Sequence, residues 1–312
     1  MRESLTAITE ELRRLKQAGV TTVSVTEETL ERLRRVVGRR AAATSAANAV
    51  ERTAPTTAPV IPAAAPAAPS AVKPREVVRP AAAAVSEPLR TPPEVRLPAG
   101  TKAERWAALK ALVEGDQNCR AHLRPGKRVV LGVGSLDAAL MFVGEAPGAE
   151  EEIQGEPFVG PAGQLLTRMI VAMGVAREEV YIGNIMNWRP GLPTAEGQEQ
   201  VGNRPPTSGE LAYCLPFLHA QVEVVAPRFL VALGATAAQG LLGAGAFKTL
   251  GEVRGRWHDF GGIPLMVTYH PSYILREPTP RRKRLIWEDL LQVMERAGLP
   301  VSDRQRGYFL ER

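Results

Sequence analysis

The chain has 312 residues, of which 45% are hydrophobic and 23% charged, and its formal net charge is +6. This is the composition of a soluble globular protein. No run of eighteen apolar residues is present to cross a bilayer, and Glu10, Glu11, Arg13 and Arg14 break the first apolar stretch where a signal peptide would need it continuous. Two cysteines, Cys119 and Cys214, exclude a disulfide framework and a four-cysteine metal site, and they suit a reducing cytoplasm.

Two short helix patterns come first. Leu5, Ile8, Leu12 and Leu15 share one helical face. A second pattern opens at Thr26, an N-cap followed by Glu27 and Glu28, and ends in basic residues that suit the helix dipole. Residues 1–40 therefore read as a small helical module for docking a partner. Residues 41–100 hold 19 Ala and 11 Pro and no aromatic residue. Such a segment cannot bury enough apolar surface to fold, so it reads as a flexible linker, reaching at most on the order of 190 Å. Residues 1–100 carry 15 basic and 10 acidic side chains, a net of +5. The basic balance is thus an N-terminal property and does not make the remainder a nucleic-acid binder by itself.

From residue 101 to about 300 short apolar strands alternate with helices, and residues 301–312 read as a tail. Strands are predicted at Val129–Val133, Ala139–Val143, Val180–Met186, Phe229–Leu233 and Pro264–Tyr269. Helices are predicted at Ala162–Val175, Thr207–Val225, Thr236–Leu242 and Arg281–Ala297. This alternation predicts one three-layer αβα domain with a mostly parallel central sheet. Ligands of such sheets sit beyond the carboxyl ends of the strands.

Those ends carry unusual loops. Gly144-Glu145-Ala146-Pro147-Gly148 follows one strand, Asn184 lies in the next, and His270-Pro271-Ser272-Tyr273-Ile274-Leu275 follows the last. Gly155-Glu156-Pro157-Phe158-Val159-Gly160 lies between the first two. A carboxylate, an aromatic ring, an amide and an imidazole can therefore converge on one edge. Each alone has a plain structural reading, since Gly144–Gly148 lacks the spacing of a dinucleotide or phosphate loop.

The ordered runs MFVGEAPGAEEEIQGEPFVGPAGQLL, YIGN and VTYHPSYIL resemble the uracil-DNA glycosylase superfamily, and most of all its family four. The resemblance covers roughly residues 115–297 and not the first hundred. It implies an enzyme that flips uracil out of DNA and hydrolyses its N-glycosidic bond in DNA repair. It implies Glu145 and His270 as catalytic residues. Gly144, Ala146, Glu151, Phe158 and Asn184 would bind uracil: Phe158 by stacking, Asn184 by its amide and Glu151 by crowding C5. Ile274 and Leu275 would form the apolar wedge that fills the gap in the base stack. The implied partner is uracil-containing DNA, met by a monomer in the cytoplasm or nucleoid, with a repair or replication protein as the partner of residues 1–40.

Family four usually carries a [4Fe–4S] cluster on four cysteines. Here Cys119 and Cys214 match the first and last ligand positions, while His122 and Trp188 stand at the other two. Indole is not an iron ligand, so the resemblance implies a cluster-free variant with Trp188 filling the space. A three-ligand zinc or cluster site is the alternative. Two other functional readings stay open: a non-catalytic DNA-binding relative, and a relative that traps the abasic sugar covalently through a loop histidine. The extra loop here, Gly191–Pro206, contains no histidine.

Overall fold

The computed structural model describes residue 89, residues 91–195 and residues 197–310. The helical module expected over 1–40 and most of the linker expected over 41–100 lie outside the described residues. Helix α1 (Lys102–Gly115) opens at a capping box that sequence reading passed over: the Thr101 side chain accepts from the Glu104 N–H, and Glu104 accepts from the Thr101 N–H. Helix α2 (Gln117–Ala121) follows at once, capped by Asp116.

Six strands form one sheet: β1 (Val133–Gly134), β2 (Leu140–Gly144), β3 (Tyr181–Asn184), β4 (Phe229–Leu233), β5 (Trp257–Phe260) and β6 (Ile263–Thr268). Their order is β1-β3-β2-β4-β6-β5. The inner pairs β3–β2, β2–β4 and β4–β6 are parallel, and the two edge pairs are antiparallel. β2, β3 and β4 are buried along their whole length, as parallel strands covered on both faces must be.

Alternation along these strands sorts the core into two layers. Leu140, Phe142, Ile182, Val231 and Met266 point to one face, where α4 (Pro161–Ala172) and α9 (Pro280–Ala297) pack. Met141, Val143, Tyr181, Leu230 and Leu265 point to the other, under α5 (Ser208–Val225) and α6 (Ala235–Leu242). The three-layer αβα reading holds. Two expectations need correction. The strand expected over Val129–Val133 pairs only at Val133–Gly134. Its earlier residues bond elsewhere, Val130 N–H to Asn187 O at 2.8 Å and Gly132 N–H to Gln221 Oε1 at 3.1 Å. The edge strand β5 was not foreseen, because four residues with one charged and one imidazole side chain carry little alternation.

Helix α1 packs against α5, making a third apolar cluster beneath which α2 and the residues after β3 are buried. Contacts continue beyond 101–300 at both ends. Leu89, Val95 and Leu97 lie on that third cluster. At the other end the Gln305 carbonyl accepts from Trp287 Nε1 at 2.6 Å, and Gln305 Nε2 donates to the Ala172 carbonyl at 2.8 Å. Among the described residues no helix is long and apolar enough to cross a membrane.

Candidate active site

The parallel register sets Gly144 beside Asn184, and Leu233 beside Thr268, so β2, β3, β4 and β6 end along one edge. A cavity of about 610 Å³ opens there, lined among others by Glu145, Phe158, Asn184, Thr236 and His270. A second cavity of about 780 Å³ lies by β1, Trp106 and Tyr181, and holds none of the expected site residues. Convergent chemistry, rather than volume, marks the first as the site.

Its inner wall is built on a close approach. A Cβ at Gly144 would sit 2.5 Å from Phe158 Cζ and would also strike the Asn184 side-chain oxygen. Only glycine leaves room for both. Phe158 adopts φ 54°, in the left-handed region that a bulky residue enters at a cost of about 1–3 kcal/mol. Gly163 on α4 allows this, since a Cβ there would lie 2.5 Å from Phe158 Cα. The strained backbone puts the Phe158 ring 5.6 Å from the His270 ring, centroid to centroid, with a tilt of 32°. Asn184 is only 5% exposed, and its amide has no hydrogen-bond partner among the described residues. The residue lines the cavity, so the amide is open to a ligand there.

His270 has a defined tautomer. The Ser272 N–H donates to His270 Nδ1 at 3.2 Å, and Ser272 Oγ lies 2.9 Å from the same nitrogen. Nδ1 is therefore the acceptor, and in the neutral ring Nε2 carries the proton. Burial, and secondarily the charge of Arg276, push the His270 pKa down to about 4. At neutral pH the site thus offers an uncharged N–H donor.

Glu145, in the β2 loop, accepts a short hydrogen bond from Thr236 Oγ1. Thr236 lies in the first turn of α6, and sequence reading did not single it out. Glu151 lines the cavity, but its carboxylate is occupied by three backbone donors: Gly148 N–H at 3.1 Å, Val159 N–H at 3.1 Å and Gly160 N–H at 2.9 Å. It clamps the Gly148 turn to the Phe158 loop. Ala146 lines the wall. The extra loop Gly191–Pro206 supplies a wall too, through Asn203, Arg204 and Pro205. It is pinned by Arg189, whose Nε donates to Asn203 Oδ1 at 2.7 Å and whose Nη1 pairs with buried Glu152 at 2.8 Å.

The expected wedge pair divides. Helix α8 (Ser272–Arg276) turns Ile274 into the core, 3% exposed, while Leu275 stands out at 43%. Successive helical residues point about 100° apart, so the core that takes Ile274 does not take its neighbour. Leu275 remains as the wedge candidate, and Ile274 is its foundation.

The residues at the cluster positions do not fit a [4Fe–4S] group. Trp188 is fully buried, and its indole stacks on His122 at 4.9 Å and 27°. His122 Nδ1 donates to the Asn118 carbonyl at 2.7 Å, and its ring lies against an indole where another ligand would have to stand. Cys119 and Cys214 are fully buried free thiols, and two thiols are half of what a four-ligand cluster needs. Among the described residues no three His, Cys, Asp or Glu side chains come together as a metal site.

A three-layer α/β sheet with an aromatic ring, an open amide and a neutral histidine at the strand ends defines a protein that binds a flat, polar heterocycle. The family model for the uracil DNA glycosylase superfamily matches residues 131–291. The chain is 40% identical over 191 residues to a type-4 uracil-DNA glycosylase of Thermotoga maritima, covering 61% of this chain and 93% of that protein. It is 38% identical over 180 residues to a type-4 uracil-DNA glycosylase of Pyrobaculum aerophilum, covering 55% and 86%. A type-5 enzyme of the same organism is 30% identical over 180 residues, covering 53% and 73%. The chain belongs to the uracil-DNA glycosylase superfamily, in its type-4 branch.

Proposed function

We propose that the protein excises uracil from DNA by hydrolysing the N-glycosidic bond, leaving an abasic site without cutting the strand. The observation that carries this reading is the buried Asn184 amide, left without a partner beside the Phe158 ring and facing the same cavity as His270. An amide offers one acceptor and one donor, matching uracil N3–H and O4. Cytosine presents the opposite pair, and polar groups left unpaired in such a site can cost a factor of ~10⁴. Phe158 stacks on the base, and Glu151 holds the walls that exclude the thymine methyl.

Cleavage sends the electron pair of the C1′–N1 bond into the uracil ring, where charge gathers at O2. The Nε2–H of His270 donates to that oxygen. A water held by Glu145 supplies the oxygen that bonds to C1′ and gives its proton to the Glu145 carboxylate, from which a proton returns to the departed uracil anion through solvent. Thr236 fixes one Glu145 oxygen and leaves the other for the water. The ring of Trp188 stands at a position where the family has a cluster ligand, and the steps above use only side chains of this chain. The enzyme is read as a cytoplasmic monomer whose residues 1–40 dock a repair or replication protein.

Release of free uracil from an oligonucleotide carrying one uracil, with an intact, alkali-labile abasic strand left behind, is the expected result. No release from single- or double-stranded substrate would sink the reading. A protein–DNA adduct stable to denaturant would instead support covalent trapping.

A further inference from the structure

The chemistry assigned above leaves a charged cavity side chain without a task. Two cations line the cavity, Arg204 and Arg276. Arg204 is committed: it holds Glu210 with two bonds, at 2.6 and 2.7 Å, and Gly191 O with a third at 2.7 Å. Arg276 has no carboxylate or hydrogen-bond partner among the described residues. Its neighbour Glu277 is taken by Arg282.

We propose that Arg276 is the phosphate clamp of this site, holding the backbone phosphate beside the flipped nucleotide; the proposal rests on the glycosylase reading. Arg276 closes α8, one residue beyond the exposed Leu275 and six beyond His270. A nucleotide with its base in the cavity leaves its sugar at the mouth and its flanking phosphates at the rim. A guanidinium there meets phosphate in a bidentate fork, which an ammonium cannot reproduce.

The helix that presents it is braced. Ile274 is buried in the core beneath it. The Tyr273 ring stacks on Tyr269 at 4.3 Å and 12°, and the Arg282 guanidinium covers the Tyr273 ring at 4.3 Å. Arg282 Nη1 also donates to the Tyr273 carbonyl at 3.2 Å. Tyr269 on one side and Arg282 on the other engage the Tyr273 ring, so Tyr273 serves as a support and not as a base platform. Binding then has to order the Arg276 side chain but not its helix.

A second consequence distinguishes this role from general basicity. Arg276 adds to the burial that keeps His270 uncharged. The other charged or titratable groups that line the same cavity as His270 are Glu145, Glu150 and Glu151 from the β2 loop and α3 (Ala149–Gln154), Arg204 from the extra loop, and Tyr269 and Tyr273. Removing the Arg276 charge therefore raises the His270 pKa, and the acid limb of the cleavage rate moves to higher pH.

The test uses the full chain and its variants Arg276→Gln and Arg276→Lys. Binding to a single-stranded oligonucleotide with a tetrahydrofuran abasic analogue is followed by fluorescence anisotropy across salt. The slope of log K against log salt should fall in magnitude by about 0.7 for Gln, the value for one phosphate contact, and stay at the parent value for Lys. On the uracil substrate, half-saturation should rise several-fold for Gln, and the acid limb should shift upward for Gln but not for Lys. A parental salt slope in Arg276→Gln overturns the clamp. Because the analogue undergoes no chemistry, this result is read separately from any failure of uracil release. Arg276 is exposed, and thermal unfolding at the parental temperature confirms that each variant is folded.

Discussion

His270 enters the cavity as a neutral donor because its Nδ1 is already occupied by the Ser272 N–H. Its donor bond matters most when charge has reached O2, so His270→Gln should slow single-turnover cleavage by about 10²–10³-fold with little change in product binding. The same ring leaves a mark on stability. Its pKa falls from 6.5 in the unfolded chain to about 4 in the folded one, so between those values the unfolded state binds more protons. Stability should drop as pH falls from near 6.5 and level off below about 4. His270→Gln should remove that part of the slope in urea unfolding at matched pH; identical slopes would show that the ring is not buried as described. Asn184→Asp should move preference toward cytosine, since a carboxylate accepts where the cytosine amino group donates. Release of cytosine by the variant and not by the parent is the measurement.

At the scale of elements, helix α8 and the extra loop carry the site toward DNA. Ile274 anchors α8 and Leu275 projects from it. A wedge is needed only where a base must leave a stack. Leu275→Ala should therefore slow excision from duplex DNA by several-fold while single-stranded substrate is cut at the parental rate. Equal losses on both substrates would assign Leu275 to packing. Ile274→Ala should behave differently, costing about 2–5 kcal/mol of stability as a cavity-forming core change. Buried Gln200 ties the described parts of the extra loop together by serving Leu192 N, Pro190 O and Gly202 O at once.

For the whole molecule, the third apolar cluster decides whether the fold depends on metal. Trp188, Tyr213, Phe217, Leu109 and both thiols fill it with side chains. The purified protein should contain well under one iron per chain and unfold at the same temperature with or without a chelator. Trp188→Ala should cost about 3–5 kcal/mol, with no recovery on anaerobic addition of iron and sulfide. A brown parent protein with about four irons per chain would overturn the apolar-filling account. The same cluster sets where the chain can be shortened. A chain starting at residue 89 keeps Leu89, Val95 and Leu97 on the cluster, and one starting at Thr101 loses them. The shorter chain should melt lower, by about 2–4 °C for each kcal/mol lost, while cutting short oligonucleotides.

Much of this was open to reading from the residues in order. Short apolar runs located the four parallel strands, because a strand buried on both faces tolerates few polar residues. The motifs stood at strand ends, and a parallel sheet brings those ends to one edge, so Glu145, Phe158, Asn184 and His270 could be gathered before any coordinates. The missing ligand cysteines were likewise a matter of composition. What stayed hidden depended on contacts between distant segments. Thr236 reaches Glu145 across 91 residues, and no local pattern marks it. Ile274 and Leu275 look alike in sequence, and only the direction of the core separates them. Arg204 and Arg276 are equivalent as letters, yet Glu210 engages the first, while the second has no ion-pair partner among the described residues. Local patterning decides which residues must be buried or extended. Which polar groups find partners is decided by the close packing of the whole chain, since a hydrogen bond or ion pair exists only at a distance that tertiary structure sets.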